Sequence, residues 1–130
     1  MLHAAMQHQR ILVVEDNTEL RRMYRMALAL AGYEVEETGD GLDALRLVEN
    51  RPPDLVVLDL VLLSLDGVSV RQELAARPGT SQIPVVIVTG SSIDTDPLDA
   101  ACVMRKPVMP DELIDTVRRC LAQGASASRH

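Results

Sequence analysis

The sequence predicts an α/β fold: a doubly wound, five-stranded parallel sheet with helices on both faces. Apolar β-branched runs alternate along the chain with longer amphipathic segments, and that alternation calls for strands joined by right-handed helical crossovers. Two of the runs, "PDLVVLDL" at 53–60 and "IPVVIVTG" at 83–90, are apolar with little interruption, which marks strands covered on both faces. Charged or hydroxylated residues recur where the strands stop. In such sheets ligands bind beyond the carboxyl ends of the strands.

Strand 1 is "RILVVED" at 10–16, ending in two acids. Residues 17–31, "NTELRRMYRMALALA", form helix 1, with Asn17 as N-cap, apolar residues at helical spacing and Gly32 as the stop. "YEVEET" at 33–38 alternates as a half-buried edge strand does, and "GDG" then turns into "LDALRLVEN", helix 2, which "RPP" terminates. Strand 3 ends on Asp59; after the loop "VLLSLDG" a helix runs from about Val68 to Ala76, with Asp66 as a turn or N-cap residue before it. Strand 4 is the run at 83–90. Residues 91–100, "SSIDTDPLDA", hold three aspartates, a proline and two serines, the composition of a loop with at most one or two helical turns. Strand 5 covers about Ala101 to Arg105, and "PDELIDTVRRCLAQ" is the final helix, with Pro110 near its start and Gly124 after its end.

A chain of 130 residues is one domain with a single sizeable core. Its organisation reads as an N-terminal tail at 1–9, one domain at 10–122 and a disordered tail at 123–130. The net charge of -6 and pI near 4.9 argue against a nucleic-acid or anionic-membrane surface, which needs clustered Lys and Arg, and suit the binding of a cation. Cys102 and Cys120 form no CxxC pair, so they read as two core thiols in a reducing cytoplasm. No run approaches the roughly 18 apolar residues of a membrane span, and the first ten residues lack a signal-peptide core, so a cytoplasmic location is expected. His3, His8 and His130 all lie in the tails, which excludes a Ser-His-Asp hydrolase. Arg21, Arg22 and Arg25 read as a solvated helix face, with an acidic partner surface as the alternative, and Met23 and Met26 as core.

The residues at the strand ends are Glu15, Asp16, Asp59, Thr89 and Lys106. Three carboxylates in one crevice repel one another unless a cation joins them, and an all-oxygen ligand set favours Mg²⁺ or Mn²⁺. A lysine and a threonine hydroxyl suit a phosphoryl group, whose oxygens need charge neutralisation and a donor. Asp59 is then a candidate nucleophile.

These motifs, in this order, resemble a response-regulator receiver domain of two-component signalling, across about residues 10–122. "VVEDN" resembles the acidic pair after strand 1, and "LDLVLLSLDG" the phosphoacceptor segment, with Asp66-Gly67 at its usual distance; "VTG" supplies a switch-type threonine and "RKP" a lysine followed by proline. The resemblance implies a flavodoxin-like sheet of order 2-1-3-4-5. It implies that Glu15, Asp16, Asp59 and the Val61 carbonyl hold Mg²⁺, that Asp59 is phosphorylated, that Thr89 senses the phosphoryl group and that Lys106 binds it. The Lys106-Pro107 bond is often cis in that family. A single-domain phosphoacceptor is implied, catalysing only its own phosphorylation and dephosphorylation. Its partners would be a histidine kinase or histidine phosphotransfer protein and a downstream protein target. Val61 and Ser91 resemble positions that tune loss of the phosphoryl group.

The chain departs from the family pattern at three places. Leu63 stands where a proline is usual. Val103 occupies the aromatic switch position in a chain with no Phe or Trp, whose tyrosines, Tyr24 and Tyr33, belong to other elements. The segment from Thr89 to Lys106 is short and contains Pro97, which predicts a stunted or missing helix between strands 4 and 5 and an altered 90–105 surface. A phosphorylation-independent interaction module is therefore the second reading. A haloacid-dehalogenase-like phosphatase needs a second acid where Val61 stands, and a flavodoxin-like cofactor binder needs a phosphate loop after strand 1 that the sequence lacks.

Overall fold

The computed structural model describes residues 8–62, 64–90 and 102–127. The elements are β1 (Arg10–Val14), α1 (Thr18–Leu30), β2 (Glu34–Thr38), α2 (Gly41–Asn50), β3 (Leu55–Leu58), α3 (Gly67–Ala76), β4 (Val85–Thr89), β5 (Cys102–Arg105) and α4 (Pro110–Ala127). The five strands form one sheet of order β2-β1-β3-β4-β5, and every pairing is parallel. This is the predicted architecture. The segment 91–100, with the stunted helix expected there, lies outside the described residues, as do Leu63, Ser91 and Pro97.

Strand alternation divides the interior into two cores. Ile11, Val13, Leu55, Val57, Val86 and Val88 face α1 and α4, where Leu28, Leu113 and Val117 cover them. Leu12, Val14, Val56, Leu58, Val85 and Ile87 face α2 and α3, packing on Ala44, Val48, Val70 and Leu74. Each central strand is covered on both faces, which is why its sequence does not alternate. The edge strand β2 is only half-buried and does alternate in part.

The helix ends follow local chemistry. Asn17 Oδ1 accepts from the Leu20 amide at 2.9 Å, and α1 closes with Gly32 at φ +103°. There the Gly32 amide donates to Ala29 O and the Tyr33 amide to Leu28 O, the paired bonds of a Schellman motif. Asp40 caps α2 and Asp66 caps α3, its Oδ1 accepting from Ser69 N at 2.8 Å.

One expectation is corrected. The final helix does not stop at Gly124 but runs through it to Ala127, so residues 123–127 are helical rather than a disordered tail. The fold lays β5 against α4 and so brings Cys102 and Cys120 together at the core under α1 and α4, with Cα atoms 7.1 Å apart, beyond the roughly 4.4–6.8 Å that a disulfide spans.

Candidate functional site

The carboxyl ends of β1 and β3 are adjacent, since β1 pairs with β3 through Val14 and Leu58. Glu15, Asp16 and Asp59 follow those two residues, so the sheet itself brings the three carboxylates together: one oxygen of each lies within 4.8 Å of the others. Glu15 and Asp59 are buried, at 1% and 4% exposure. Lys106 arrives from the end of β5, across the neighbouring β4. Its Nζ stands 2.9 Å from Glu15 Oε1 and 3.4 Å from Asp59 Oδ2.

Burial pushes the Glu15 carboxyl up to about 7, with Asp59 adding to the rise, while Lys106 and the Asn17 amide oppose it. The Lys106 ammonium is disfavoured by its own burial, but its bond to Glu15 and the charge of Asp59 outweigh that and raise its pKa. The geometry is an acidic crevice with one ammonium against three carboxylates. An oxygen-only donor set with an excess of negative charge and partial burial fits a hard divalent cation, and Mg²⁺ takes few protein carboxylates while keeping several waters.

The remaining predicted residues fall around this centre. Thr89 is the last residue of β4, fully buried, and its carbonyl accepts from the Lys106 amide at 3.0 Å. The Val61 amide donates to Asp59 Oδ1 at 3.4 Å, while its side chain is exposed. The Lys106-Pro107 peptide is cis. Asp66-Gly67 belongs to the scaffold: the Gly67 amide donates to Leu60 O at 2.9 Å, and a Cβ at Gly67 would land 2.5 Å from Leu60 Cα and closer still to Asp59 O. Only glycine fits that approach. Val103, at the expected aromatic position, is 40% exposed on β5, whereas Tyr24 is buried within the α1 core.

Sequence reasoning missed one participant. Arg21 and Arg25 are neither a solvated face nor a free basic surface, because both pair with Glu37 of β2. Arg21 goes further: its Nη1 donates to Glu15 O at 2.9 Å and to Asp16 O at 3.5 Å. Helical side chains tilt toward the helix N-terminus, so an arginine four residues after the N-cap Asn17 reaches back over the β1–α1 loop. That spacing was the available signal.

The family model of the response regulator receiver domain matches residues 11–118. The chain belongs to that family. The receiver is 36% identical over 117 residues to response regulator MprA of Mycobacterium sp. strain KMS, a match covering 86% of this chain and 50% of the relative. Another relative at 36% identity, over 115 residues, is the DNA-binding response regulator MtrA of Mycobacterium leprae, with 85% and 50% covered. The chain thus spans about half the length of the curated relatives it matches. Among solved structures, the signal receiver domain of a signal transduction histidine kinase from Syntrophus aciditrophicus superimposes with a TM-score of 0.82 at 28% identity, covering 88% of this chain and 91% of that one. As a receiver it is a signalling domain of two-component systems, and histidine kinases are the partners of its family. Among the described residues, no helix is long and apolar enough to cross a membrane.

Proposed function

We propose that this receiver is a phosphoacceptor acting in the cytoplasm. A histidine kinase or histidine phosphotransfer protein is the donor, and a downstream protein reads an altered 90–105 surface. The observation that supports this best is the convergence of Glu15, Asp16 and Asp59 within 4.8 Å with Lys106 bonded to two of them. Glu15, Asp16, Asp59 and the Val61 carbonyl would hold Mg²⁺ or Mn²⁺, which when bound neutralises charge on the transferring phosphoryl oxygens.

Asp59 is the nucleophile. A carboxylate oxygen attacks phosphorus, the new P–O bond forms as the P–N bond to the donor imidazole breaks, and the imidazole leaves with a proton. Lys106 Nζ, already 3.4 Å from Asp59 Oδ2, balances charge on the phosphoryl oxygens, and Thr89 supplies a hydroxyl donor from the end of β4. In the reverse chemistry water attacks phosphorus, the bond to Asp59 breaks and inorganic phosphate departs. The domain turns over only its own phosphoryl group.

Intact-protein mass after incubation with acetyl phosphate and Mg²⁺ tests this reading. One added phosphoryl group, absent from Asp59→Asn and from a sample in EDTA, is the expected result. No addition, together with no NMR shifts on titration with beryllofluoride and Mg²⁺, would sink it. That outcome would favour the second reading, a phosphorylation-independent interaction module, which the exposed Val103 in place of an aromatic switch supports.

A further inference from the structure

The β1–α1 loop must hold two like-charged carboxylates side by side, and its backbone is tied down at successive points. The Glu15 amide donates to Thr38 O at 3.0 Å, and Glu15 Oε2 accepts from the Asn17 amide at 3.2 Å. The carbonyls of Glu15 and Asp16 are taken by one nitrogen, Arg21 Nη1, at 2.9 and 3.5 Å. The other side of the same guanidinium is anchored outside the loop, its Nε donating to Glu37 Oε1 of β2 at 3.1 Å. The Arg21 side chain is 20% exposed.

We propose that Arg21 is the positioning residue of the cation-binding loop: anchored by Glu37, its guanidinium holds the Glu15 and Asp16 carbonyls and so presents the two carboxylates preorganised to Mg²⁺. This rests on the reading of the crevice as a Mg²⁺ site. Two effects of Arg21 on a bound cation oppose each other. Its charge repels Mg²⁺, so charge alone would make removal tighten binding; its clamp preorganises the ligands, so removal would loosen binding. Glu37 already compensates the charge, which leaves the clamp as the larger effect. Lysine cannot replace it, because only the planar fork reaches Glu37 through one nitrogen and the carbonyls through another.

Isothermal titration of the full chain with MgCl₂, without phosphodonor, separates the two. Arg21→Gln and Arg21→Lys are compared with Arg22→Gln, which removes the same charge from an exposed position on the same helix. The expected result is a roughly tenfold weaker Mg²⁺ affinity for both Arg21 variants, as for other groups that orient metal ligands, and an unchanged affinity for Arg22→Gln. Gly39→Ala approaches the clamp without altering charge: its Cβ would sit 2.9 Å from Arg21 Nη1 and 3.3 Å from Asp16 Cα. It should also weaken binding and, combined with Arg21→Gln, add little, and it keeps the test open if an Arg21 variant fails to fold. A lower urea midpoint with unchanged Mg²⁺ affinity would mean that Arg21 only stabilises the fold and would overturn the inference, as would tighter binding by Arg21→Gln. A wild-type protein that takes up no Mg²⁺ overturns the reading of the crevice and the inference with it.

Discussion

Glu15→Gln separates the cost of burying a charge at this crevice from the benefit of the cation that would bind it. The Glu15 carboxyl is 1% exposed, and its pKa rises from 4.5 to about 7 because burial disfavours the ionised form. A carboxyl whose folded pKa lies above its unfolded one binds more protons folded than unfolded between those values, so stability falls as pH rises from about 4.5 to about 7. Over pH 5 to 8 this one group removes on the order of 2–3 kcal/mol, at about 1.4 kcal/mol per pH unit. Glutamine keeps the shape and stays neutral. In EDTA, urea unfolding at pH 5, 6, 7 and 8 should therefore show the variant gaining on the order of 2–3 kcal/mol on wild type across the range. Mg²⁺ at a hundred times its dissociation constant stabilises a protein that binds it only when folded by about 2.7 kcal/mol. Adding it should return wild type at pH 8 to near its stability at pH 5 and leave Glu15→Gln much less changed. Parallel pH profiles for the two proteins in EDTA would refute the reasoning, since Glu15 would then titrate alike folded and unfolded.

Gly67→Ala should cost about 1–3 kcal/mol by overpacking, because the new methyl meets rigid backbone at Asp59 and Leu60; Gly79→Ala, where a Cβ meets nothing within 4 Å, should leave the urea midpoint unchanged or slightly higher, and equal effects at the two would count against the close-approach argument. Lys106→Met leaves Glu15 and Asp59 without their ammonium, so phosphoryl uptake from acetyl phosphate, followed by mass, should slow about a hundredfold; an unchanged rate would remove Lys106 from the chemistry. Substitution of the exposed Val61 should change the rate of phosphoryl loss from Asp59 with little effect on Mg²⁺ affinity measured by calorimetry, and equal changes in both would show that it acts only through the cation.

Most of the fold was legible because its elements announce themselves locally. Asn17 and Asp66 read as caps and are caps, Gly32 reads as a stop and takes a positive φ, and uninterrupted apolar runs became the doubly covered β3 and β4. The acidic crevice was legible for a topological reason: residues at the carboxyl ends of neighbouring parallel strands must lie together. What failed was whatever depends on a second, distant element. Gly124 resembles a stop, but glycine only ends a helix where the chain takes up a left-handed turn, and among the described residues only Gly32 does so among the glycines. Arg21 looked solvated because its anchor, Glu37, belongs to β2 rather than to its own helix.

The charge balance of the crevice explains why the pieces are needed together. Lys106 stands closer to Glu15, at 2.9 Å, than to Asp59, at 3.4 Å, so its ammonium serves the more deeply buried carboxylate. A phosphoryl group on Asp59 would add further negative charge at the place where Lys106 makes its longer contact. For Lys106 to turn to that group it must give up Glu15, and a carboxylate with 1% exposure cannot stay ionised without another partner. A divalent cation held by Glu15 and Asp16, as proposed, would release the lysine. On this argument cation binding and phosphoryl recognition are coupled through one ammonium. Because Lys106 directly follows β5 and its amide is tied to Thr89 O at the end of β4, any shift of that side chain begins at β4 and β5, the strands that flank residues 90–101.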